Sequence, residues 1–247
     1  MNRTVTATKV SATGIVSRVE SLDWAQIVSD LDAYGCAAAK GVLLPEQCRA
    51  LAALYDQDGL FRRRIVMSRH GFGRGEYKYW AHPLPEAVAT LRCALYPHLA
   101  EVANRWNQTM QIDVRYPADH TEYLEQCHEV GQIKPTPLLL QYGEGDFNCL
   151  HQDLYGDLVF PLQVAFLMSV PGEDFTGGEF VLTEQRPRMQ SRVEVVRLEQ
   201  GDGVIFAVHR RPVQGIREAY RVNLRHGVSR IHSGRRHTMG IIFHDAK

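Results

Sequence analysis

Three residues in the second half of the chain have the side chains of a metal site. His151 and Asp153 lie two positions apart in FNCLHQDLYG, and His226 follows in YRVNLRHGVS. On an extended strand, residues two apart project from the same face, so His151 and Asp153 can reach one ion. Two imidazoles and one carboxylate can hold one face of an octahedral iron(II) and leave the other face open. The spacing therefore predicts an iron site with His151, Asp153 and His226 as ligands.

The prediction depends on the third ligand, because an H-x-D triplet alone is common by chance. His226 stands late in a β-prone region, and a jelly roll can bring late strands beside early ones. Four other late histidines compete with it, and each is also a candidate for a hydrogen-bonded structural residue. These competitors are His209, His232, His237 and His244.

A cationic side chain that can bind a second carboxylate follows ten positions after His226. Arg236 in SGRRHTMGIIF is predicted to share one face of a final strand with Thr238, whereas Arg235 is predicted to be exposed at the strand end. A cosubstrate with two carboxylates needs a cation at the end remote from the metal, and the planar fork of arginine fits a carboxylate better than an ammonium does. Arg236 is therefore the predicted anchor for that remote carboxylate.

Helical and strand patterns divide the chain into an earlier and a later part. Helical spacing is present from Asp23 to Gly35, after Pro45, over residues 84 to 107 and near 118 to 130. After Pro137 the pattern changes to short β-prone segments separated by Gly, Pro and Asp signals. These segments are LLLQYG, FNCLHQD, LQVAFLMSV, GEFVLTE, VEVVRL, GDGVIFAV, YRVNLRHGV and HTMGIIFHD. Helices first and strands last predict an α+β fold with a jelly-roll core, and not a doubly wound parallel sheet.

The length of the chain, 247 residues, predicts one domain behind a short arm. Residues 1 to 20 show neither helical nor strand periodicity and are predicted to form a flexible N-terminal arm. Residues 21 to 247 are predicted to be a single domain. Within it, residues 21 to 135 supply supporting helices and a candidate recognition flap, and residues 136 to 247 supply the jelly-roll catalytic core.

Two segments concentrate cationic side chains. Residues 61 to 80 alternate short β-prone runs with a glycine-rich loop, which is typical of a hairpin or a mobile flap. This segment carries five arginines and Lys78 against Glu76, interleaved with aromatic residues, and residues 207 to 237 carry eight arginines against Glu218. Such clusters predict contact with phosphates and bases of single-stranded or damaged nucleic acid. The alternative is a solvated face, or ion pairs with the acidic stretch near residues 113 to 129.

Composition excludes several other classes of protein. The 28 basic and 28 acidic side chains cancel, so the whole molecule has no field that would draw it to nucleic acid or to an anionic membrane. The first residues lack the apolar stretch of a secretory signal, and no run approaches the roughly 20 apolar residues of a membrane helix. Five scattered cysteines without C-x-x-C spacing favour reduced thiols in a cytoplasmic protein over a disulfide framework or a thiolate zinc site.

The motifs H-Q-D, a late H-G-V, and S-G-x-R before an apolar strand resemble those of the Fe(II) and 2-oxoglutarate dependent oxygenase superfamily. The resemblance implies a double-stranded β-helix core behind N-terminal helices. It also implies iron(II), 2-oxoglutarate and dioxygen, with a C–H group oxidised while 2-oxoglutarate becomes succinate and carbon dioxide. The segment QYGEGDFNCLHQD is similar to that of AlkB-type dealkylases, in which a tyrosine nine residues before the first ligand contacts 2-oxoglutarate. Tyr142 stands at that position.

A closer resemblance is to an uncharacterised bacterial oxygenase family proposed to act on damaged nucleic acid, on the segments FGRGEYKYW, LTEQRPRMQSR and RHGVSRIHSGRRHTMGIIFHDA. It implies oxidative demethylation of alkylated nucleic acid. One departure concerns the distal ligand. In the superfamily a G-D-x-x-x-F strand usually lies close before the distal histidine, yet Gly201 and Asp202 precede His226 by more than twenty residues and His209 by at most eight. His226 with Arg236 is preferred because the arginine spacing and the apolar strand TMGIIF fit better.

Two other classes of function stay open. A hydroxylase of a protein side chain or a small metabolite would need only a pocket beside the iron. A non-catalytic, cupin-like metal-binding module would need neither the triad nor Arg236, and cupins typically carry a glutamate and further histidines near the first pair, which HQDLYGD lacks. The oligomeric state is not predicted by the sequence.

Overall fold

The helices of the molecule lie in the first half of the chain. The computed structural model describes residues 10–215 and 218–247. Its α-helices are α1 (Ile15–Glu20), α2 (Trp24–Tyr34), α3 (Pro45–Ala53), α4 (Glu86–Thr109) and α5 (His120–Glu129). Short 3-10 turns cover Leu54–Asp56, Asp58–Leu60 and Met67–Arg69.

Helix α2 begins and ends where the sequence predicted. The Asp23 carboxylate accepts a hydrogen bond from the backbone N–H of Gln26 at 3.0 Å, which satisfies a donor that the first turn leaves free. The helix ends at Gly35, whose φ of 79° is left-handed and favours glycine. Both sequence signals for this helix are confirmed.

The predicted flexible arm over residues 1 to 20 is wrong from residue 10 onward. Residues 1 to 9 lie outside the described residues. Val10, Ile15 and Val19 are buried, and α1 packs against α4. A helix of six residues is too short for helical periodicity to show in the sequence, and packing on α4 stabilises it.

Fifteen strands are present in the described part of the chain. In the first half they are β1 (Cys36–Ala39), β2 (Phe61–Val66), β3 (Gly73–Arg74) and β4 (Glu76–Trp80). The rest are β5 (Leu138–Tyr142), β6 (Phe147–His151), β7 (Leu162–Leu167), β8 (Phe175–Gly177), β9 (Phe180–Gln185), β10 (Arg192–Val196), β11 (Gly203–Ala207), β12 (Arg210–Gln214), β13 (Ala219–Val228), β14 (Ile231–Gly234) and β15 (Arg236–Ile241). All eight strands predicted after Pro137 are among them.

The strands form two main antiparallel sheets. The larger sheet has seven strands in the order β1-β11-β7-β15-β5-β4-β2. The smaller sheet has the order β10-β9-β13-β6-β3, with β12 also paired to β13, and β14 pairs separately with β8. Neighbours in space are far apart in sequence, as in β11 beside β1 and β15 beside β5, which is typical of a jelly roll and not of a meander.

The two sheets pack face to face through apolar side chains. The Phe180 ring on β9 lies 4.9 Å from the Phe206 ring on β11, centroid to centroid, and both side chains are buried. Helices α2 and α4 pack against the larger sheet, at β1 and β11 and at β15. The predicted α+β fold, a jelly-roll core supported by N-terminal helices, is confirmed.

A buried ion pair fastens the C-terminal segment to α4. The Arg92 guanidinium donates from Nη2 to Asp245 Oδ1 at 2.8 Å and from Nε to the carbonyl of Ile242 at 2.8 Å. The second oxygen of Asp245 lies 3.0 Å from His128 Nε2. Because Arg92 and Asp245 are both buried, each charge depends on the other.

Residues 61 to 80 form the predicted hairpin. Strand β2 pairs with β4, and β4 pairs with β5, so the hairpin widens the larger sheet. Strand β3 pairs with β6 of the smaller sheet. Gly75 has a φ of 116°, and a Cβ there would lie 2.8 Å from a ring carbon of Tyr142. The glycine-rich loop is therefore held against the sheets, and the mobility of this segment stays a prediction.

No helix in the described ranges combines the length and the apolar character needed to cross a membrane. The five cysteines are free, as predicted. The cytoplasmic location and the domain limits at residues 21 and 136 stay predictions.

Candidate active site

Strand pairing brings the predicted metal ligands together. Strand β6 ends at His151, and its antiparallel partner β13 places His226 directly opposite. Directly opposite residues of such a pair point to the same face, and the two imidazole centroids lie 4.2 Å apart. Asp153 follows β6 by two residues, with its carboxylate oxygens 3.5 Å from Nε2 of His151 and 3.5 Å from Nε2 of His226. One ligand atom from each residue lies within 4.8 Å of the other two.

The surroundings fix the charge and the orientation of these groups. Burial alone would raise the pKa of Asp153, but hydrogen bonds from both imidazoles hold that pKa well below its usual range, so the carboxylate is ionised. Burial lowers the pKa of His226. The Nδ1 atom of His151 lies 2.8 Å from the carbonyl of Cys149, and an Nδ1–H that donates there leaves Nε2 free to bind a cation.

The competing histidines stand elsewhere in the fold. In the described part of the chain, the group formed by His151, Asp153 and His226 has metal-ligand spacing, and it includes no other histidine. His237 binds the Gln141 amide at 2.9 Å, and His244 Nδ1 accepts from the backbone N–H of Phe160 at 3.2 Å. His209 directly precedes β12, and His232 lies within β14. The geometry therefore favours His226 as the distal residue.

Arg236 and Tyr142 are also direct neighbours across a strand pair. Strands β15 and β5 place Arg236 opposite Tyr142, and the guanidinium carbon lies 5.7 Å from the Tyr142 ring centroid and 5.7 Å from that of Phe175. Arg236 is only 2% exposed, and it donates to the Thr238 hydroxyl. Among the described residues it has no carboxylate partner, and its Nε and the Tyr142 hydroxyl lack hydrogen-bond partners. Burial lowers the pKa of Arg236 to about 10, so it remains a cation at neutral pH.

One cavity between the two sheets contains all five predicted site residues. Side chains of both sheets line it. The buried cation of Arg236 and the group formed by His151, Asp153 and His226 therefore face the same space. Apolar side chains make up much of the remaining lining. The apolar part of the lining includes Leu138, Leu140, Val164, Ala165, Phe180 and Phe206.

Sequence analysis missed several polar residues of this cavity. Tyr155, Gln163 and Asn148 line it. The Tyr155 hydroxyl and the Gln163 amide nitrogen are both buried, and neither has a hydrogen-bond partner in the described residues. Tyr155 follows Asp153 by two positions, which was an available signal. Gln163 is a single polar residue inside the apolar strand β7, and its position in LQVAFL was the signal for it.

The cationic segments are partly used inside the fold. Arg211 is buried against Glu184, and Arg221 donates to the carbonyl of Met110. Among the described residues no ion pair involves a carboxylate of the acidic stretch near 113 to 129, so the predicted ion pairs with that stretch are wrong: the carboxylate partners lie elsewhere, such as Glu76 and Glu184. The solvated face stays an alternative. Of the eight arginines counted over residues 207 to 237, Arg217 lies outside the described residues.

Comparison with solved structures gives the same fold. The chain is similar to a prolyl-4-hydroxylase of Pseudomonas putida (16% identity, TM-score 0.50, 91% of this chain and 99% of that one). It is also similar to a prolyl hydroxylase of Trichoplax adhaerens (13%, TM-score 0.52, 92% and 90%). A 2OG-Fe(II) oxygenase family oxidoreductase of Burkholderia pseudomallei matches too (14%, TM-score 0.51, 92% and 93%). At these identities the similarity shows the jelly-roll fold alone.

Comparison of sequences shows the family. The "Uncharacterized protein Rv2227" of Mycobacterium tuberculosis is 48% identical over 164 residues, which cover 66% of this chain and 70% of that protein. The model of a family described as "Oxygenase, catalysing oxidative methylation of damaged DNA" matches residues 75–246. That range holds every predicted site residue and more than half of the chain, and the resemblance found in the sequence motifs is confirmed. The chain is an oxygenase and belongs to the Oxygenase-NA family.

Proposed function

We propose that this oxygenase depends on iron(II), held by His151, Asp153 and His226. The observation that carries the proposal is that three ligand atoms of this type lie within 4.8 Å of one another in a cavity that is also lined by Arg236, a buried arginine without a carboxylate partner among the described residues. Two imidazole nitrogens and one carboxylate are the donor set of non-haem iron sites and leave coordination positions open. Iron fits, because the ionised Asp153 and the Nε2 atoms of both histidines converge.

We further propose that 2-oxoglutarate binds between this group and Arg236. A buried guanidinium without a carboxylate partner is costly, and an anionic ligand would satisfy it. The Tyr142 hydroxyl also lacks a partner in the described residues. It would donate a hydrogen bond to the 2-oxoglutarate carboxylate that binds Arg236. Bound iron(II) would supply the metal centre for a reaction in which dioxygen is the oxidant: one oxygen atom would go to a C–H group of the substrate and the other to succinate, while 2-oxoglutarate loses carbon dioxide. The apolar walls of the cavity exclude water from that space.

For the substrate we propose an alkylated base of damaged nucleic acid. The family description, which speaks of damaged DNA, and the cationic, aromatic segment at residues 61 to 80 support this choice. Hydroxylation of a methyl carbon on a base nitrogen gives a hemiaminal, whose C–N bond breaks to release formaldehyde and restore the base, so we write the reaction as oxidative demethylation. A hydroxylase of a protein side chain or a small metabolite is the alternative, in line with the activity for which the similar prolyl hydroxylases are named.

Ligand binding tests the metal site and the cosubstrate site without turnover. Anaerobic titration with Fe(II) and 2-oxoglutarate, followed by calorimetry and by the visible absorbance of the complex, should show one site per chain. His226→Ala should abolish iron binding, and His209→Ala is the control that should leave it unchanged. Full iron affinity in His226→Ala with loss in His209→Ala would overturn the ligand assignment.

Substrate class is tested by succinate release at physiological salt with methylated oligonucleotides, peptides and small metabolites. We expect iron-dependent succinate formation to be stimulated by a methylated oligonucleotide and not by its unmethylated counterpart. Stimulation by a peptide or a metabolite alone would reject the nucleic-acid substrate and leave the iron and 2-oxoglutarate sites in place. No iron-dependent succinate with any candidate would count against the whole proposal.

A further inference from the structure

A second depression beside the metal cavity is lined by two adjacent arginines. Strand β2 has an irregular register between Phe61 and Arg63, so Arg62 is the extra residue of a β-bulge. A bulge re-aims side chains, and here both Arg62 and Arg63 line this depression instead of alternating between faces. We call it the arginine groove; its lining is Arg62, Arg63, Ile65, His70, Phe72, Tyr77, Tyr79, Tyr155, Ala246 and Lys247.

The three consecutive arginines of β2 differ in their partners. Arg64 points away from the groove and forms a two-pronged ion pair with Glu76, with N–O distances of 2.9 and 2.6 Å. Arg62 donates from Nε to the carbonyl of Pro135 at 2.8 Å and stacks 4.6 Å above the Tyr79 ring. Neither Arg62 nor Arg63 has a carboxylate partner in the described ranges. The groove therefore holds two cations whose charge is not neutralised, and Arg62 is held in place.

Lys247 does not add to this charge, because its ammonium is paired with Asp157 at 2.6 Å. The two arginines thus supply the free positive charge of the groove. Two guanidiniums side by side present forked donors that match successive phosphate or carboxylate groups.

The groove also has an aromatic platform at its boundary with the metal cavity. The rings of His70 and Phe72 are stacked, with centroids 5.3 Å apart and an interplanar angle of 24°. Phe72 is 47% exposed, so part of its ring is open to solvent at the groove. Phe72, Tyr77, Tyr79 and Tyr155 line both the groove and the cavity, so the two spaces share a wall.

We propose that the arginine groove binds a single nucleic-acid strand next to the base that is oxidised. Arg62 and Arg63 bind consecutive phosphates, a flanking base stacks on Phe72 and His70, and the target base passes Phe72 into the metal cavity. This inference rests on the proposed function and adds to it the residues that recognise the substrate. A base inside a duplex cannot reach a cavity between two sheets, so the strand must be single or the base must be turned out of the stack.

Cations beside exposed stacked rings fit a nucleic-acid strand better than an acidic peptide. Each base has an aromatic face that can stack on Phe72, and the phosphate beside it lies within reach of an arginine. An acidic peptide would use the two arginines but would leave the ring platform exposed. The groove and the platform are therefore used together only by a strand with bases.

Binding of a labelled, unmodified single-stranded oligonucleotide, measured by fluorescence anisotropy between about 50 and 200 mM salt, tests this proposal. Arg63→Ala should weaken binding about three- to tenfold and reduce the slope of log affinity against log salt by about 0.7, the value for one phosphate contact on a single strand. Arg64→Ala removes the same formal charge from the next residue. It is the matched control and should change affinity less than about twofold, with the slope unchanged.

Phe72 is tested in the same assay with a second probe. Phe72→Ala should weaken binding of the oligonucleotide roughly tenfold, but it should have no effect on an abasic oligonucleotide of the same length. Phe72→Tyr keeps the ring and should retain affinity. Equal losses with both probes would show that Phe72 acts on the fold and not on a base, and would overturn its role.

The outcomes separate this inference from the proposed function. Each variant is also titrated with Fe(II) and 2-oxoglutarate, and Arg63→Ala and Phe72→Ala should bind both as the parent protein does. Equal weakening by Arg63→Ala and Arg64→Ala, or no oligonucleotide binding at low salt, would overturn the inference while cosubstrate binding stands. Binding of an acidic peptide with the same Arg63 dependence and the same salt slope would also overturn it. Failure of the parent protein to bind 2-oxoglutarate would instead reject the proposed function.

Discussion

Arg92 and Arg236 are both only 2% exposed, yet their surroundings differ. Behind the larger sheet, Arg92 donates to the Asp245 carboxylate and to a carbonyl. In the cavity between the sheets, Arg236 donates to the Thr238 hydroxyl and faces two aromatic rings, and it has no carboxylate partner in the described part of the chain. Both guanidiniums have lost their water, but only one has its counter-charge within the fold.

Arg92 therefore has its counter-charge within the fold, whereas Arg236 is the arginine that we propose binds an anionic ligand. Burying a charge costs several kcal/mol, and a partner within the fold offsets that cost. A buried arginine without such a partner is unfavourable for folding. An anionic ligand that binds to it offsets this cost. The two regions should therefore respond in opposite ways to the same substitution.

The largest effect is expected behind the sheet. Arg92→Met leaves the buried Asp245 carboxylate with His128 as its remaining side-chain partner, and it should lower the free energy of unfolding by about 3 to 5 kcal/mol. Urea unfolding measures this loss. The folded fraction should bind 2-oxoglutarate as tightly as the parent protein. A double variant, Arg92→Met with Asp245→Leu, should recover much of the stability, and no recovery would mean that packing and not charge is lost.

The next effect is expected in the cavity. Arg236→Met should weaken 2-oxoglutarate by about 2 to 5 kcal/mol, because a charge-assisted contact to a desolvated carboxylate is lost. Its free energy of unfolding should stay the same or rise, since no carboxylate is left without a partner. Calorimetric titration and urea unfolding of one preparation give both numbers. A stability loss like that of Arg92→Met, with unchanged 2-oxoglutarate affinity, would erase the distinction between the two arginines.

The pairing of His151 with Asp153 and the fold class could be predicted from local patterns. An i, i+2 spacing gives His151 and Asp153 one face, and the order of helices and strands restricts the architecture. Which late histidine completes the group depends on register, because β13 must pair with β6 so that His226 lies opposite His151. That pairing joins residues 75 positions apart in sequence, and periodicity does not report it.

The arginine groove is a second feature that could not be predicted from the sequence. Arg62, Arg63 and Arg64 look alike in a run of cations, and strict alternation would place Arg63 alone on the opposite face. The bulge after Phe61 breaks that alternation, and the ion pair to Glu76 removes Arg64 from the count of free charges. Both facts are tertiary. The sequence predicted a cationic hairpin, and the structure identifies which of its arginines are free to bind a ligand.

A smaller effect is expected from pH, again behind the sheet. Burial, with the charge of Arg92 as the next cause, lowers the pKa of His120 from 6.5 to about 4. Between these pH values the unfolded chain binds the proton and the folded protein does not, so the stability present above pH 6.5 falls as the pH drops to about 4. The loss should be about 3 kcal/mol.

His120→Gln tests the assignment of this pH effect. Glutamine can still donate to the carbonyl of Phe243, which lies 2.8 Å from His120 Nε2, but it does not titrate. The slope of unfolding free energy against pH between about 4 and 6.5 should become shallower. An unchanged slope would assign the acid sensitivity to other groups, such as His244, whose pKa burial also lowers to about 4.

The smallest effect compares two tyrosines, one from each region. Tyr142 in the cavity and Tyr96 on α4 both have buried hydroxyls without a partner among the described residues. If the Tyr142 hydroxyl donates to the 2-oxoglutarate carboxylate, Tyr142→Phe should weaken that ligand by about 0.5 to 1.5 kcal/mol, roughly two- to tenfold, without lowering stability. Tyr96→Phe removes the same atom from the Arg92 side of the sheet and should leave the affinity unchanged. Calorimetric titration of both variants with 2-oxoglutarate measures this difference. Equal affinities of the two variants would mean that a buried hydroxyl without a partner does not mark a ligand-binding position in this fold. The buried cation of Arg236 would then be the one feature that marks the 2-oxoglutarate site.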